Sequence, residues 1–346
     1  MGFLYCHGRR RVIIKVTGRP ASSKPGSDVE SMKTDLIIGA VAFAELADEW
    51  DDLAGQGMTD SPFQSLAYQR AWWNHLQPEG SELLTVATRD EAGRLIGIGC
   101  FFTSGGRLHF NGCIEETDYL DLIAPAEHAE AVWRATLDCL GTLGQSSCQG
   151  LELCNIPAAS PSRAILPRLA PQLNLTFAEQ IAEVCPIIPL PVTFEEYLET
   201  LDSKQRRELS RKLRRAEAAD VVTTDVSDAA DIDAEVDSFL ELLQKSTFDK
   251  RDWLNEGRRA LFHDVARSAQ TAGTLQLLFT AVEGRRAAAL FNFNYKDRIW
   301  VYNSGLDPSA FAALSPGVVL TATAIERAIG LGCREFDFLR GSEEYK

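Results

Sequence analysis

The sequence has no CxxC pair, and no histidine stands at zinc-site spacing from any of its eight cysteines, which excludes the common structural zinc motifs. No apolar run reaches the ~18 residues of a membrane-spanning helix. The N-terminus is basic but lacks the apolar core of a secretory signal. Positive charge is scarce: Lys+Arg number 35 against 49 Asp+Glu, a net charge of −14. That excludes bulk attraction to nucleic acid or anionic lipid as the main mode of binding. His263–Asp264 has no Ser or Cys nucleophile elbow to accompany it, which excludes triad chemistry.

The 346 residues allow two domains, and 45% hydrophobic against 24% charged residues is the balance of a globular chain that buries a core. Most cysteines lie in apolar runs such as GIGCFF and LELCNI, so they read as small buried hydrophobes in a reducing cytoplasm. The charge is unevenly spread. Residues 1–33 hold seven basic and two acidic residues, and Lys24–Ser27 read as disorder, so 1–35 is expected to be a basic extension outside the fold. A second basic island places Lys204, Arg206, Arg207, Arg211, Lys212, Arg214 and Arg215 on one predicted helix, 203–219. Leu209, Leu213 and Ala216 give that helix only a narrow apolar stripe. Clustering seven cations calls for an anion, while a solvated face is the plainer reading.

Apolar periodicity predicts helices over 43–54, 66–76, 126–140, 194–201, 231–247 and 258–271, and one from Pro316 to Gly330. Strand-like runs fall at 83–90, 93–102, 107–114, 118–123, 150–156, 173–181 and 185–190, and again in three consecutive stretches between Thr274 and Leu306, then at 334–341. Pro157, Pro161, Pro167 and Pro171 are expected to break the chain. The order helices, antiparallel strands, helix, strand occurs twice, at about 44–155 and 194–339, which predicts two α+β units.

The stretch from Tyr302 onward carries the chemistry. A strand ends near Asn303, Ser304 and Gly305. An excursion through Asp307–Pro308 then leads to Ser315–Pro316–Gly317–Val318 at a helix start, where free N–H groups and a glycine suit a pyrophosphate. Plain capping of a helix reads the same residues without a ligand. Tyr302, Asp337 and Glu343 are the candidate proton carriers, and Asp337 alternates with Phe336 and Phe338.

The segments YNSGLDP, SPGVVL and IERAIGLGCREFDFLRGSEEYK resemble the C-terminal half of the CelD/BioF-type acetyltransferase family of the GNAT superfamily, related to FemAB-type aminoacyltransferases. DSKQRRELSRKLRRAEAADV is similar to the basic helix opening the second domain there, and SPFQSLAYQRAWWNHL and TDYLDLI to landmarks of the first. The resemblance implies tandem GNAT-like domains at 36–190 and 191–346, each a mixed, largely antiparallel sheet flanked by helices. It also implies a chain that continues past Lys346, with an open sheet edge where a last strand is missing. The family's glycine-rich phosphate signature is absent; only Ser315–Pro316–Gly317 stands at its place. The implied activity is N-acyl transfer from acetyl-CoA or another acyl-CoA to an amine, in exopolysaccharide or cell-envelope metabolism, in the cytoplasm. Lys204, Arg206, Arg207, Arg211, Asp118, Tyr119, Arg340 and Lys346 are the expected substrate contacts, with no metal and no nucleic acid. Two alternatives stay open: a FemAB-like transferase acting on a nucleotide-linked precursor, and a non-catalytic accessory protein of polysaccharide synthesis.

Overall fold

The computed structural model describes residues 9–18, 32–113, 116–143, 149–246 and 248–341. These fall into two compact units that divide between Val184 and Cys185.

The first unit is built on a seven-stranded sheet. In chain order its elements are β1 (Arg9–Gly18), β2 (Lys33–Ile38), α1 (Ala42–Glu45), α2 (Ala47–Ala54), α3 (Leu66–Leu76), β3 (Leu83–Arg89), β4 (Leu95–Ser104), β5 (Arg107–Phe110), α4 (Ala129–Gly141), β6 (Gly150–Pro157), α5 (Ser162–Gln172) and β7 (Leu175–Cys185). The strand order is β2-β3-β4-β5-β6-β1-β7. β2 to β5 pair antiparallel, and α4 carries the chain across to β6, which is parallel to β5. β3 and β4 are buried along almost their whole length, as strands covered on both faces must be. Trp50, Phe63, Phe101, Phe110 and Trp133 fill the core.

Four expectations change here. Arg9–Gly18 is a strand inside the sheet, antiparallel to β6, although it lies in the segment expected to sit outside the fold. Its run of Val12, Ile13, Ile14, Val16 and Thr17 is rich in the β-branched residues that suit a pleated surface, and this local preference prevails over the basic composition. Pro167 and Pro171 lie within α5 rather than ending it. Each removes an internal hydrogen bond, but Ile165, Leu166, Leu169 and Ala170 bury one face of the helix. Cys113 and Cys154 form a disulfide with Cα atoms 6.1 Å apart, so these two are not free apolar fillers. Residues 118–123 form no strand; their contribution to the sheet is one bridge, Ile98 to Ile123.

The second unit begins with β8 (Ile187–Pro189), α6 (Phe194–Thr200), α7 (Ser203–Glu217), β9 (Val222–Asp225), α8 (Ile232–Ser246), α9 (Phe248–Trp253) and α10 (Glu256–Thr271). It ends with β10 (Leu275–Val282), β11 (Arg285–Tyr295), β12 (Arg298–Leu306), α11 (Pro316–Gly330) and β13 (Glu335–Asp337). Thr193 with Glu196, and Asp202 with Gln205, close capping boxes that start α6 and α7. The sheet order is β8-β13-β12-β11-β10-β9. β9 to β12 pair antiparallel, α11 crosses over, and β13 returns parallel to β12. The far edge of β13 is paired with β8, from the start of the unit. On one face Ile299, Val301, Phe336 and Phe338 pack with Leu320, Ala324 and Ile325 of α11. On the other, Phe291 meets Phe239 of α8 and Phe262 of α10.

Each unit thus repeats one order: three antiparallel strands, a crossover helix, a parallel strand. This is the mixed, largely antiparallel α+β architecture expected from the sequence. Among the described residues one helical stretch, Ala312–Gly330, is long and apolar enough to cross a bilayer. Its apolar side chains Val319, Leu320, Ile325 and Ala328 are buried.

Candidate functional site

β12 and β13 pair over three positions only: Arg298 with Glu335, Ile299 with Phe336 and Trp300 with Asp337. At this closed end Arg298 bonds Glu335 at 2.6 Å and lies over the Trp300 ring. Beyond Trp300 the strands part. β12 runs on to Leu306 against β11, while the other chain turns at Leu339, which adopts a left-handed φ of 57°. A bulge forms on β12, because Val301 pairs with Asn292 and Asn303 with the adjacent Phe291, leaving Tyr302 as the extra residue. The Tyr302 ring packs against Phe262, Phe291 and Phe293 and stays partly exposed. Tyr302 thus stands on a bulge of β12, two residues past its last pair with β13.

The backbone of the longer arm is already committed at several points. Ser304 N–H donates to Asn303 Oδ1 at 3.0 Å. Leu306 N–H donates to Ser246 Oγ at 2.7 Å, and Leu306 C=O lies 3.3 Å from the same hydroxyl. Gly305 has a packing reason. A Cβ there would lie 2.8 Å from Leu243 N and 2.9 Å from Leu242 C, so only glycine lets the α8 backbone come this close.

From Leu306 a short segment leads to α11. Ser315, the residue before the helix, is left-handed with φ 52°, and its side chain makes no capping bond. Pro316 has no N–H. Among the described residues no acceptor takes the N–H of Gly317 or Val318, and Gly317 meets only Leu306 Cδ1, at 3.6 Å, in the direction of its missing Cβ. A 15-residue helix therefore presents two free donors at the positive end of its dipole, which suits an anion.

α7 lies against α11 and the Ala312–Leu314 turn before it. At 100° per residue Lys204, Arg207, Arg211, Arg214 and Arg215 share the face opposite Leu209, Leu213 and Ala216. Arg211 is held by Glu208 at 2.7 Å, and Lys212 lies 3.9 Å from the same carboxylate. Among the described residues Lys204, Arg206, Arg207, Arg214 and Arg215 have no ion-pair partner. The basic helix is solvated on its charged side, yet it borders the helix start that favours an anion.

Tyr302, Asn303, Ser304 and Gly305 thus lie on β12 beyond its last pair with β13, Ser315, Pro316, Gly317 and Val318 stand at the start of α11, and Asp337 is the last residue of β13. Asp337 is fully buried, and its Oδ1 accepts the Leu339 N–H at 2.8 Å, so its carboxylate shapes the turn that parts the strands. Arg340 follows that turn, half-buried. Asp118 and Tyr119 belong to the first unit and are buried there, with Tyr119 C=O accepting from Ser61 Oγ. Glu343 and Lys346 lie outside the described residues. Sequence reasoning missed Ser246, Lys245 and Arg285. They act on the site from α8 and from the start of β11, and no motif marks them.

Residues 203–346 match the family described as Acetyltransferase (GNAT) domain. The second unit therefore carries a domain of the acyltransferase type. No curated protein matches the sequence. Among solved structures the chain is similar to FemX, with a TM-score of 0.61 and 10% identity over 86% of this chain and 88% of that one. It is also similar to a conserved protein of unknown function from Bacteroides thetaiotaomicron, at TM-score 0.52 and 16% identity over 87% and 90% of the two chains. A third likeness is to the C-terminal domain of a putative lysylphosphatidylglycerol synthetase from Agrobacterium fabrum, at TM-score 0.50 and 12% identity over 86% and 79%. At these identities the likeness is one of fold, a tandem GNAT-like architecture of the FemX kind.

Proposed function

We propose that the chain is an N-acyltransferase that moves an acyl group from acyl-CoA, a small acyl group such as acetyl included, to an amine acceptor. The free N–H groups of Gly317 and Val318, at the helix start that follows β12, carry this reading. The extended arm of the donor follows β12, and its pyrophosphate takes the helix start. The amine nitrogen attacks the thioester carbonyl carbon, the C–S bond breaks, the nitrogen gives up a proton to water, and the thiolate takes one. Tyr302, on the bulge, is the hydroxyl proposed to supply that last proton, since a phenol and a thiol have pKa values of similar size, and its phenolate regains a proton from water. The unpaired cations Lys204, Arg206 and Arg207, with Arg211, hold an anionic group of the donor or of the acceptor. In this reading the reaction takes place in the cytoplasm, where acyl-CoA is formed, and serves the cell envelope or an exopolysaccharide.

The same α7 cations favour a second reading, transfer of an aminoacyl group to a nucleotide-linked precursor. Calorimetric titration of the whole chain with acetyl-CoA and longer acyl-CoAs separates the two. The first reading expects binding that Gly317→Trp abolishes, because the indole fills the space before the helix. No heat with any acyl-CoA, together with binding of a nucleotide-linked amine, overturns it in favour of the second.

A further inference from the structure

The segment joining the open strand to α11 is only nine residues long, 307–315, and two of its non-glycine residues are left-handed: Phe311 at φ 53° and Ser315 at φ 52°. Each such residue costs of order 1 kcal/mol and persists only when its surroundings hold it there. The holding group is Asp307. Its side chain is 6% exposed. Oδ1 accepts from Ser309 N–H at 3.0 Å and from Ser309 Oγ at 2.6 Å. Oδ2 accepts from Arg285 at 2.7 Å, with Lys245 Nζ at 4.0 Å. The Asp307 N–H donates to Ala287 C=O at 2.9 Å, and its C=O accepts from Ala310 N–H at 3.1 Å. One residue therefore ties the segment to the start of β11 and to the end of α8. The next residue along α8, Ser246, clamps the preceding residue of β12, Leu306.

We infer that Asp307 is a positioning residue for the donor: its carboxylate fixes the 307–315 segment so that the Gly317 and Val318 N–H groups stand at a set distance from the end of β12. This rests on the acyl-CoA reading. It adds that donor affinity depends on a carboxylate that does not itself face the donor's phosphates. The Ser309 hydroxyl and the Arg285 guanidinium hold that carboxyl below its ordinary range, so it is ionised at neutral pH.

The test measures acetyl-CoA binding and steady-state turnover in the full-length wild type, in Asp307→Asn, and in Ser309→Ala as the milder variant. Asp307→Asn is expected to raise the KM and Kd for acetyl-CoA about 10-fold or more, the size of one charge-assisted hydrogen bond, with kcat at saturating donor changed less than about 3-fold. Ser309→Ala is expected to move the same constant in the same direction by less. Arg285→Gln combined with Asp307→Asn should cost no more than Asp307→Asn alone, because both act through one contact. A wild type that binds acetyl-CoA beside variants with unchanged Kd overturns the inference and leaves the donor reading standing. Equal losses of kcat, KM and thermal midpoint reduce Asp307 to a structural residue. A wild type that binds no acyl-CoA overturns the donor reading and this inference with it.

Discussion

The two units share one order of elements and differ at the same point of it. In the second, β12 extends well past its last pair with β13, and nine residues lead to α11. In the first, β5 has four residues and meets β6 at a single parallel position, Leu108 with Leu151. The chain then spends residues 111–128 before α4, and part of that length folds back on β6. Leu120 N–H donates to Asn155 C=O at 3.0 Å, and Asn155 Nδ2 donates to Thr117 C=O at 2.5 Å. The Cys113–Cys154 disulfide ties the same two stretches together. Asp121 anchors the segment. It is buried, and it accepts from Thr59 Oγ1 at 3.0 Å, Ser162 Oγ at 2.5 Å, the Ser160 hydroxyl and the Leu122 N–H. Past the parallel pairing of the first unit the connection bonds back to β6, whereas in the second β12 itself runs on past its last pair with β13. The lesson is that one shared order of elements leaves the connection after the third strand free to differ.

Three changes break or sharpen that contrast, in falling order of effect. Asp121→Ala should cost about 3–5 kcal/mol, because it leaves three buried hydroxyls without their acceptor and opens a cavity. Chemical denaturation should show the loss in the first unit's transition, while acyl-CoA binding at partial denaturant follows the second. Loss of binding in step with the first unit would remove the distinction between the two connections.

Gly305→Val should cost about 1–3 kcal/mol through overpacking against the α8 backbone. Because α8 and β12 must separate to admit the side chain, donor binding should weaken more than stability does. Titration calorimetry alongside thermal melting checks this, and unchanged affinity at a lowered midpoint would detach Gly305 from the site.

The smallest effect is one of pH. Burial raises the Asp121 carboxyl to about 6, against the hydroxyl bonds that lower it. A carboxyl that holds its proton more tightly in the folded chain adds stability that is complete below its ordinary value of 3.8 and lost as pH rises through 6. The difference in melting temperature between wild type and Asp121→Asn should therefore shift by a few degrees in favour of wild type from pH 8 to pH 5. A difference that is flat with pH would mean the carboxyl stays ionised throughout.

Much of the second unit was legible in the chain. The helices expected at 194–201, 231–247 and 258–271 stand at Phe194–Thr200, Ile232–Ser246 and Glu256–Thr271, because capping residues and apolar periodicity act within a few turns. The three consecutive strands and the Pro316 helix start were visible for the same reason. The Asp337 alternation was legible too, since Phe336 and Phe338 fall in one cluster. What sequence could not show were contacts closed over long separations: Ser246 on Leu306, Arg285 and Lys245 on Asp307, Cys113 on Cys154.

The sequence by itself determined most of the elements, their order and their repetition, because propensity, capping and hydrophobic period are properties of neighbouring residues. It also marked where an anion could meet a helix start. Only the tertiary structure decided how the connection after the third strand is held in each unit. That outcome depends on whether the connection after the third strand finds buried partners such as Asp121 and Asn155, and those hydrogen bonds exist only once distant segments have been brought together.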